Sequence, residues 1–168
     1  ATAAVVSGKD DAMLADSLAA LSFTFMAARD PALVQQARQH AERALALDTD
    51  DPLVLSNAGR ALGICGDRER GLAYCRRSVE LNPNSAPGRS NLATMCVRYR
   101  LPEEAMLHAE AALLLAPRGF LAYLLGANLA LANFQLGRYE QALQGVERSL
   151  FLNPAFIYTL KDKAVVLE

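Results

Sequence analysis

Three asparagines, Asn57, Asn91 and Asn128, each follow a serine or alanine and stand at the same place in three similar segments. A carboxamide is both a hydrogen-bond donor and an acceptor, so a row of asparagines can pair with the backbone of an extended peptide whatever its side chains. Asparagine is a mediocre helix former, so its recurrence needs a reason. The row predicts peptide contact, with bonding to a neighbouring helix or to water as the open alternative.

Four further polar residues share helical faces with these asparagines, at about 100° per residue. They are Arg60, Thr94, Arg98 and Gln135. Arg60 and Arg98, with Arg89, make the middle of the predicted groove cationic, which favours acidic or carboxylate-ended partners. Solvated surface arginines are the alternative reading. The three asparagines and these four residues form the predicted peptide-binding set.

The residues that could carry catalysis or bind a metal form no recognisable site. His40 and His108 stand at matching places two units apart, which puts them on the order of 20 Å from one another and too far apart to share a metal or act as an acid–base pair. The three cysteines include no CxxC pair and are predicted to be small, buried thiols in a reducing compartment. No phosphate loop or nucleophile motif occurs. We therefore predict no enzyme activity, no cofactor and no metal site.

The composition favours a helical protein that contacts neither nucleic acid nor membrane. The chain holds 31 Ala and 28 Leu, which lose little on entering a helix, and its net charge is −1. No concentrated basic surface for phosphate is evident, so direct nucleic-acid binding is not expected. The most apolar run, Gly119 to Phe134, is shorter than the ~20 residues that span a bilayer. Unpaired cysteines and a missing signal pattern predict a cytoplasmic location.

The elements that must position the candidate residues repeat at a fixed period. Four equivalent helix ends, at Thr49, Pro83, Pro117 and Pro154, lie 34, 34 and 37 residues apart. Such a period indicates stacked supersecondary units. The predicted repeats span about 18–51, 52–85, 86–119 and 120–156, followed by a capping or partial-repeat helix at 157–168. Residues 1–9 are expected to be a linker or an artificial chain start, and residues 10–168 a single domain.

The second helix of each predicted unit carries a stripe of mostly small residues at i, i+4 and i+7, with a larger apolar residue at i+8. Small side chains let two helices approach closely, and the larger residue fills the gap to the next pair. The four stripes are Ala37/Ala41/Ala44/Leu45, Gly71/Cys75/Ser78/Val79, Ala105/Ala109/Ala112/Leu113 and Ala142/Val146/Ser149/Leu150. A two-helix unit cannot bury such a stripe alone, so neighbouring units must cover it.

This pattern resembles the tetratricopeptide repeat family over about residues 18 to 156. The resemblance rests on the period, on Leu55, Ala58-Gly59, Leu62 and Gly66, and on the run from Gly137 to Leu143. It implies an all-α, right-handed αα superhelix of about four helix-turn-helix repeats plus a C-terminal helix. The sequence departs from the family pattern at Thr49 for proline, Ala93 for glycine and Gly71 for alanine, and by three extra residues near Gly119–Ala122.

A second resemblance rests on the runs at Leu45–Asp48, Leu81–Ser85, Ala116-Pro117 and Gly137–Glu140, and on an extended helix with Tyr123, Gly126 and Phe134. This layout is similar to the C-terminal repeat region of some bacterial regulators, which pair it with a winged-helix DNA-binding domain or a class III adenylate cyclase domain. The sequence therefore predicts a protein–protein interaction scaffold that binds a partner segment in its concave groove, as a module of a larger regulator. The alternative is a self-associating regulatory segment, forming a homodimer through ends that expose Leu160, Val165, Val166 and Leu167.

Overall fold

The computed structural model describes residue 7, residues 9–14, residues 31–47 and residues 50–154. Every regular element in these ranges is an α-helix, which confirms the all-α prediction for this part of the chain. The helices are α1 (residues 9–14), α2 (Pro31–Leu47), α3 (Pro52–Ile64), α4 (Arg68–Leu81), α5 (Ala86–Arg98), α6 (Pro102–Leu115), α7 (Phe120–Gln135) and α8 (Tyr139–Leu152). Residues 18–30 of the first predicted repeat and the helix predicted at 157–168 lie outside the described residues.

Capping side chains and prolines set where the helices begin. The Asp51 carboxylate accepts hydrogen bonds from the backbone N–H groups of Leu53 (2.8 Å) and Val54 (3.2 Å), and Pro52 fills the first turn of α3. The Ser85 hydroxyl accepts from Gly88 N–H at 3.1 Å at the start of α5. These bonds satisfy N–H groups that the helix itself leaves without acceptors, and proline has no such group to satisfy. The starts of α3 and α5 follow from this chemistry.

The first helices of three successive helix pairs, α3, α5 and α7, end in the same type of turn. After α3, Gly66 N–H bonds to Gly63 C=O (3.1 Å) and Asp67 N–H to Leu62 C=O (2.9 Å). The same two bonds recur after α5 and α7, and together they form a Schellman turn, whose central residue is left-handed. That residue is Gly66 (φ 97°) after α3, Arg100 (φ 57°) after α5 and Gly137 (φ 73°) after α7. Arg100 thus adopts a conformation that suits glycine.

The chain divides into two compact units at Pro83 and Asn84, between the second and third predicted repeats. In the first unit, α2 packs against α3 and α3 pairs with α4. In the second unit, α5 pairs with α6 and α7 pairs with α8, and α7 also packs against both α5 and α6. A buried hydrophobic cluster among α5, α6 and α7 consists of Ala93, Ala109, Ala112 and Leu125. These residues close the space between three helices.

The small-residue stripes are buried, as predicted. All twelve residues at the first three stripe positions are buried, whereas the larger fourth residue is buried in α2 and α4 and half-buried in α6 and α8. At Gly71, a Cβ atom would stand 2.7 Å from the Gly63 Cα and 3.0 Å from the Gly59 carbonyl oxygen. Glycine at position 71, where the family pattern has alanine, therefore allows the backbones of α3 and α4 to lie close together.

Two serines make the same bond in the two units. Ser78 donates to the Pro52 carbonyl oxygen (2.6 Å), and Ser149 donates to the Tyr123 carbonyl oxygen (2.8 Å), each across 26 residues. Tyr123 thus corresponds to Pro52, although α7 begins at Phe120 and has 16 residues where α3 has 13. The three extra residues are accommodated as an additional turn at the start of α7. The helix-pair register after them is unchanged.

Candidate functional site

Helix α5 in the second unit has one accessible stripe. Pro87 is exposed, and Asn91, Thr94 and Arg98 are half-buried, at i, i+4, i+7 and i+11. Eight of the other residues of the helix are buried. An α-helix brings residues at this spacing onto one face. Three of the seven predicted binding residues are therefore accessible together on α5.

Asn128 on α7 is only 5% exposed. Its amide nitrogen donates to the Thr94 hydroxyl oxygen at 2.9 Å, and the Thr94 hydroxyl donates in turn to the Ser90 carbonyl oxygen at 2.9 Å. This chain joins α7 to α5 and fixes which way the Asn128 carboxamide points. No described residue donates to the Asn128 oxygen Oδ1. The amide therefore uses its donor internally and keeps an acceptor available.

Gln135 repeats this arrangement seven residues further along α7. Its amide nitrogen donates to the Val97 carbonyl oxygen at 2.8 Å, whereas its Oε1 oxygen is buried without a hydrogen-bond partner. Residues seven apart lie on one helical face, separated by about 10 Å along the axis. Both amides of α7 thus hold α5 with their donors and leave an acceptor oxygen unused. The sequence predicted Thr94 and Asn128 as binding residues but not the hydrogen bond between them.

The first unit contributes the remaining two predicted residues. Asn57 and Arg60 are half-buried on α3, beside exposed Leu53. Ile64, which helical spacing placed on the same stripe, is 7% exposed and packs inward. We use the name first-helix face for a set of residues on three helices, each considered within its own unit. They are Leu53, Asn57 and Arg60 on α3, Pro87, Asn91, Thr94 and Arg98 on α5, and Asn128 and Gln135 on α7.

The first-helix face is cationic. Helices α3 and α5 contain Arg60, Arg89 and Arg98 and no Asp or Glu, and α7 carries no charged residue. Arg89 donates to Nδ1 of His108 at 3.2 Å, so part of this charge is used within the α5–α6 pair. The acidic residues of the described helices therefore lie outside α3, α5 and α7, which leaves this face suited to a partner with carboxylates.

A charged cluster that the sequence analysis missed lies in the first unit. Asp11 on α1 is 1% exposed and stands 2.8 Å from Nδ1 of His40 and 3.3 Å from a guanidinium nitrogen of Arg43. The carboxylate ties α1 to α2, because a buried charge requires such partners. His40 was noticed for its repeat position, but its partner 29 residues earlier has no signal in the sequence.

The remaining candidate groups have ordinary surroundings. Cys65, Cys75 and Cys96 are buried thiols, as predicted. Within the described ranges, no three His, Cys, Asp or Glu side chains stand close enough together to bind a metal ion. Among the described helices, none has both the length and the apolar character that crossing a bilayer requires.

Comparison with known proteins supports the repeat assignment. The tetratricopeptide repeat family model matches residues 54–85, the α3–α4 pair and the residues that follow it. Among solved structures, the chain is similar to PilW, a widely conserved type IV pilus biogenesis factor, with TM-score 0.70 and 22% identity over 90% of this chain and 68% of that chain. The predicted tetratricopeptide-type fold is thereby confirmed. No curated protein matches the sequence.

Two further similar structures concern peptide binding. The second tetratricopeptide domain of human RPAP3, solved in complex with the HSP70 peptide SGPTIEEVD, has TM-score 0.59 and 21% identity over 68% of this chain and 92% of that domain. YrrB, described as a tetratricopeptide protein with an unusual peptide-binding site, has TM-score 0.65 and 18% identity over 93% of this chain and 77% of that chain. Both similarities concern the fold of this chain, which is of the tetratricopeptide type.

Proposed function

We propose that this stack of helix pairs is a non-enzymatic protein-interaction scaffold that binds an extended segment of a partner protein on its first-helix face. One observation carries the proposal. The Asn128 amide is held by Thr94 in an orientation that leaves its oxygen without a donor. An acceptor held in place in this way binds a backbone N–H at little entropic cost, because its rotamer is already fixed.

The residues of the face have separate roles in this proposal. In the second unit, Asn91 and Asn128 bond the partner's backbone, Thr94 orients Asn128, and Gln135 holds α7 against α5 through its bond to the Val97 carbonyl. Arg98 attracts a carboxylate of the partner. In the first unit, Asn57 and Arg60 make the corresponding backbone and charge contacts. Backbone bonds of this kind give affinity without demanding a particular side-chain sequence.

The similar structures support a peptide as the ligand class. The peptide bound by the human RPAP3 domain, SGPTIEEVD, contains three acidic residues. A first-helix face that carries Arg60 and Arg98 and no carboxylate is complementary to such a segment. We therefore propose that the partner segment of this chain is acidic.

The test is a crosslinked pull-down from source-cell lysate with variants matched in shape. Thr94→Val removes the hydroxyl that orients Asn128, whereas Thr94→Ser keeps it. We expect the valine variant and the Asn57/Asn91/Asn128→Ala variant to lose the captured partner, and the serine variant to keep it, with equal helicity by circular dichroism. If Thr94→Val and the triple asparagine variant both still captured the partner, the asparagines would serve only the fold.

A second candidate is the self-associating segment of a larger bacterial regulator, as the resemblance to winged-helix regulators and adenylate cyclases implies. Exposed apolar side chains near helix ends, such as Leu47 and Leu152, favour it. The residues first considered for this role, Leu160, Val165, Val166 and Leu167, lie outside the described residues. Light scattering distinguishes the candidates, because self-association requires a molar mass that rises with concentration. A constant monomer mass would exclude it.

A further inference from the structure

The outward stripe of α6 combines exposed leucines with glutamates. We define this α6 stripe as Glu103, Leu107, Glu110 and Leu114, which follow one helical face at i, i+4, i+7 and i+11. All four side chains are exposed, Leu107 at 62% and Leu114 at 85%. A leucine exposed to this extent gains little from folding, and two of them on one stripe form an apolar surface without a partner in the described chain.

The same stripe on the other second helices shows that these leucines are not required by the repeat. In the first unit, the equivalent stripes of α2 and α4 contain no large apolar residue, although all their positions are exposed as well. In the second unit α8 continues the α6 pattern, with two glutamates and with Phe151 at 86% exposure. The corresponding stripes are Gln35/Gln39/Glu42/Ala46 on α2, Glu69/Ala73/Arg76/Glu80 on α4 and Glu140/Gln144/Glu147/Phe151 on α8.

The glutamates of the α6 stripe are not neutralised by any cation among the described residues. Neither Glu103 nor Glu110 pairs with a basic side chain within the described residues, and α6 itself contains no Lys or Arg. The Arg138 guanidinium reaches α6 at Met106, where it lies 3.8 Å from the sulfur. On the first-unit helix α2, by contrast, Glu42 is bound by Arg70 at 2.6 Å. The α6 stripe therefore presents both unpaired acceptors and uncovered apolar area.

We propose that the α6 stripe is a docking surface for a basic amphipathic helix of a partner protein. Leu107 and Leu114 lie about 10 Å apart along the helix axis, which matches apolar residues at i and i+7 of a partner helix. Glu103 and Glu110 alternate with the leucines, so Lys or Arg beside the partner's apolar residues meets a carboxylate. This surface is distinct from the first-helix face, which is cationic and lies on other helices.

The test uses the full chain and two labelled model peptides of 18 residues, read by fluorescence anisotropy. The first has leucine at i, i+3 and i+7 spacing and lysine elsewhere, and the second replaces the lysines with glutamate. We expect the lysine peptide to bind and the glutamate peptide not to bind. Leu107→Ala/Leu114→Ala should weaken binding at least tenfold, and Glu103→Gln/Glu110→Gln severalfold, with the remaining affinity less sensitive to salt.

Matched variants on α4 are the control. Glu69→Gln/Glu80→Gln changes carboxylates at the first and last positions of the equivalent stripe and should leave binding unchanged. Because all these side chains are exposed, helicity should be the same in every variant. Equal weakening by the α4 and α6 variants, or no binding at all, would overturn the proposal. A concentration-dependent mass abolished by Leu107→Ala/Leu114→Ala would also overturn it, because the occupant would then be a second copy of this chain.

Discussion

At the scale of single residues, Gly71 determines how closely α3 and α4 approach. An added methyl group would stand 2.7 Å from one backbone atom of Gly63 and 2.8 Å from another, and neither can move as a side-chain tip could. We expect Gly71→Ala to destabilise the chain by about 1–3 kcal/mol, because overpacking outweighs the roughly 1 kcal/mol that alanine gains in a helix. Urea unfolding followed by circular dichroism measures the change.

Gly126 is the matched control for this substitution. It also lies within a helix, but its added methyl group would stand 3.5 Å from the Ser149 Cβ, which is ordinary van der Waals contact. Gly126→Ala should therefore leave stability unchanged or raise it by up to about 1 kcal/mol. If the two variants had the same effect, the close approach at Gly71 would not be what selects glycine there.

Single residues also show where the sequence was sufficient and where it was not. Helical spacing predicted an accessible face with Asn91, Thr94 and Arg98, because that property depends on one helix alone. The orientation of the Asn128 amide depends on Thr94, 34 residues earlier on another helix. The packing of α7 against α5 determines which atoms of residues so far apart in the sequence form a hydrogen bond. The sequence could name Asn128 and Thr94 as candidates but could not predict their bond.

At the scale of elements, the turn after α5 carries a conformational cost that its equivalents avoid. Arg100 has φ 57° where Gly66 and Gly137 stand in the other two turns, and a left-handed conformation costs a residue with a side chain about 1–2 kcal/mol. Arg100→Gly should raise stability by about 0.5–1 kcal/mol, since the greater freedom of glycine in the unfolded chain offsets part of the gain. Thermal unfolding detects this as a higher Tm.

Gly137→Ala makes the opposite change in the equivalent turn and should lower stability by about 1 kcal/mol. If Arg100→Gly instead lowered the Tm, the Arg100 side chain would be shown to make a contact worth more than the strain.

An ion pair between α2 and α4 gives the first unit a pH-dependent contribution. Arg70 donates to both oxygens of Glu42, at 2.6 and 2.7 Å, and these hydrogen bonds, with the charges of Arg70 and Arg38, hold the pKa of Glu42 below its usual 4.5 in spite of partial burial. A lowered folded pKa means that the contribution is complete above about pH 4.5 and is lost as pH falls through the folded value. Because both side chains are more than one third exposed, it amounts to about 0.2–1 kcal/mol.

Glu42→Gln tests this pair. The variant should be less stable than the wild type at pH 7, and the difference should shrink as the pH falls from 5 to 3. A difference that stayed constant over this range would show that packing, and not the carboxylate charge, stabilises the contact.

Helix bounds were the part of the fold most accessible from sequence. The helix starts at Pro52 and Ala86 are marked chemically in the sequence, by Asp51 with Pro52 and by Ser85 with Pro87, whereas no side chain caps the start at Tyr139. For the three extra residues near Gly119–Ala122, the sequence predicts a longer first helix in the fourth repeat, from about Phe120 to Leu136, and α7 confirms this by spanning Phe120–Gln135. Their incorporation as an extra turn of α7 follows from the continuous apolar sequence there, which buries better in a helix.

At the scale of the whole molecule, stability is expected to be a sum over helix pairs. In repeat proteins each unit contacts its neighbours only, so local changes act locally. The chain offers a direct comparison, because the Ser78–Pro52 bond in the first unit and the Ser149–Tyr123 bond in the second are equivalent. Each bond has both its ends within one unit.

We expect Ser78→Ala and Ser149→Ala each to cost about 1 kcal/mol, the usual net worth of one internal hydrogen bond. Because the two sites share no partner, the double variant should cost the sum of the two within about 0.5 kcal/mol. Hydrogen exchange should then show faster opening of α3 and α4 in the first variant and of α7 and α8 in the second. Faster opening of all four of these helices in each single variant would mean that the two units unfold as one, because a loss in either unit would then destabilise both.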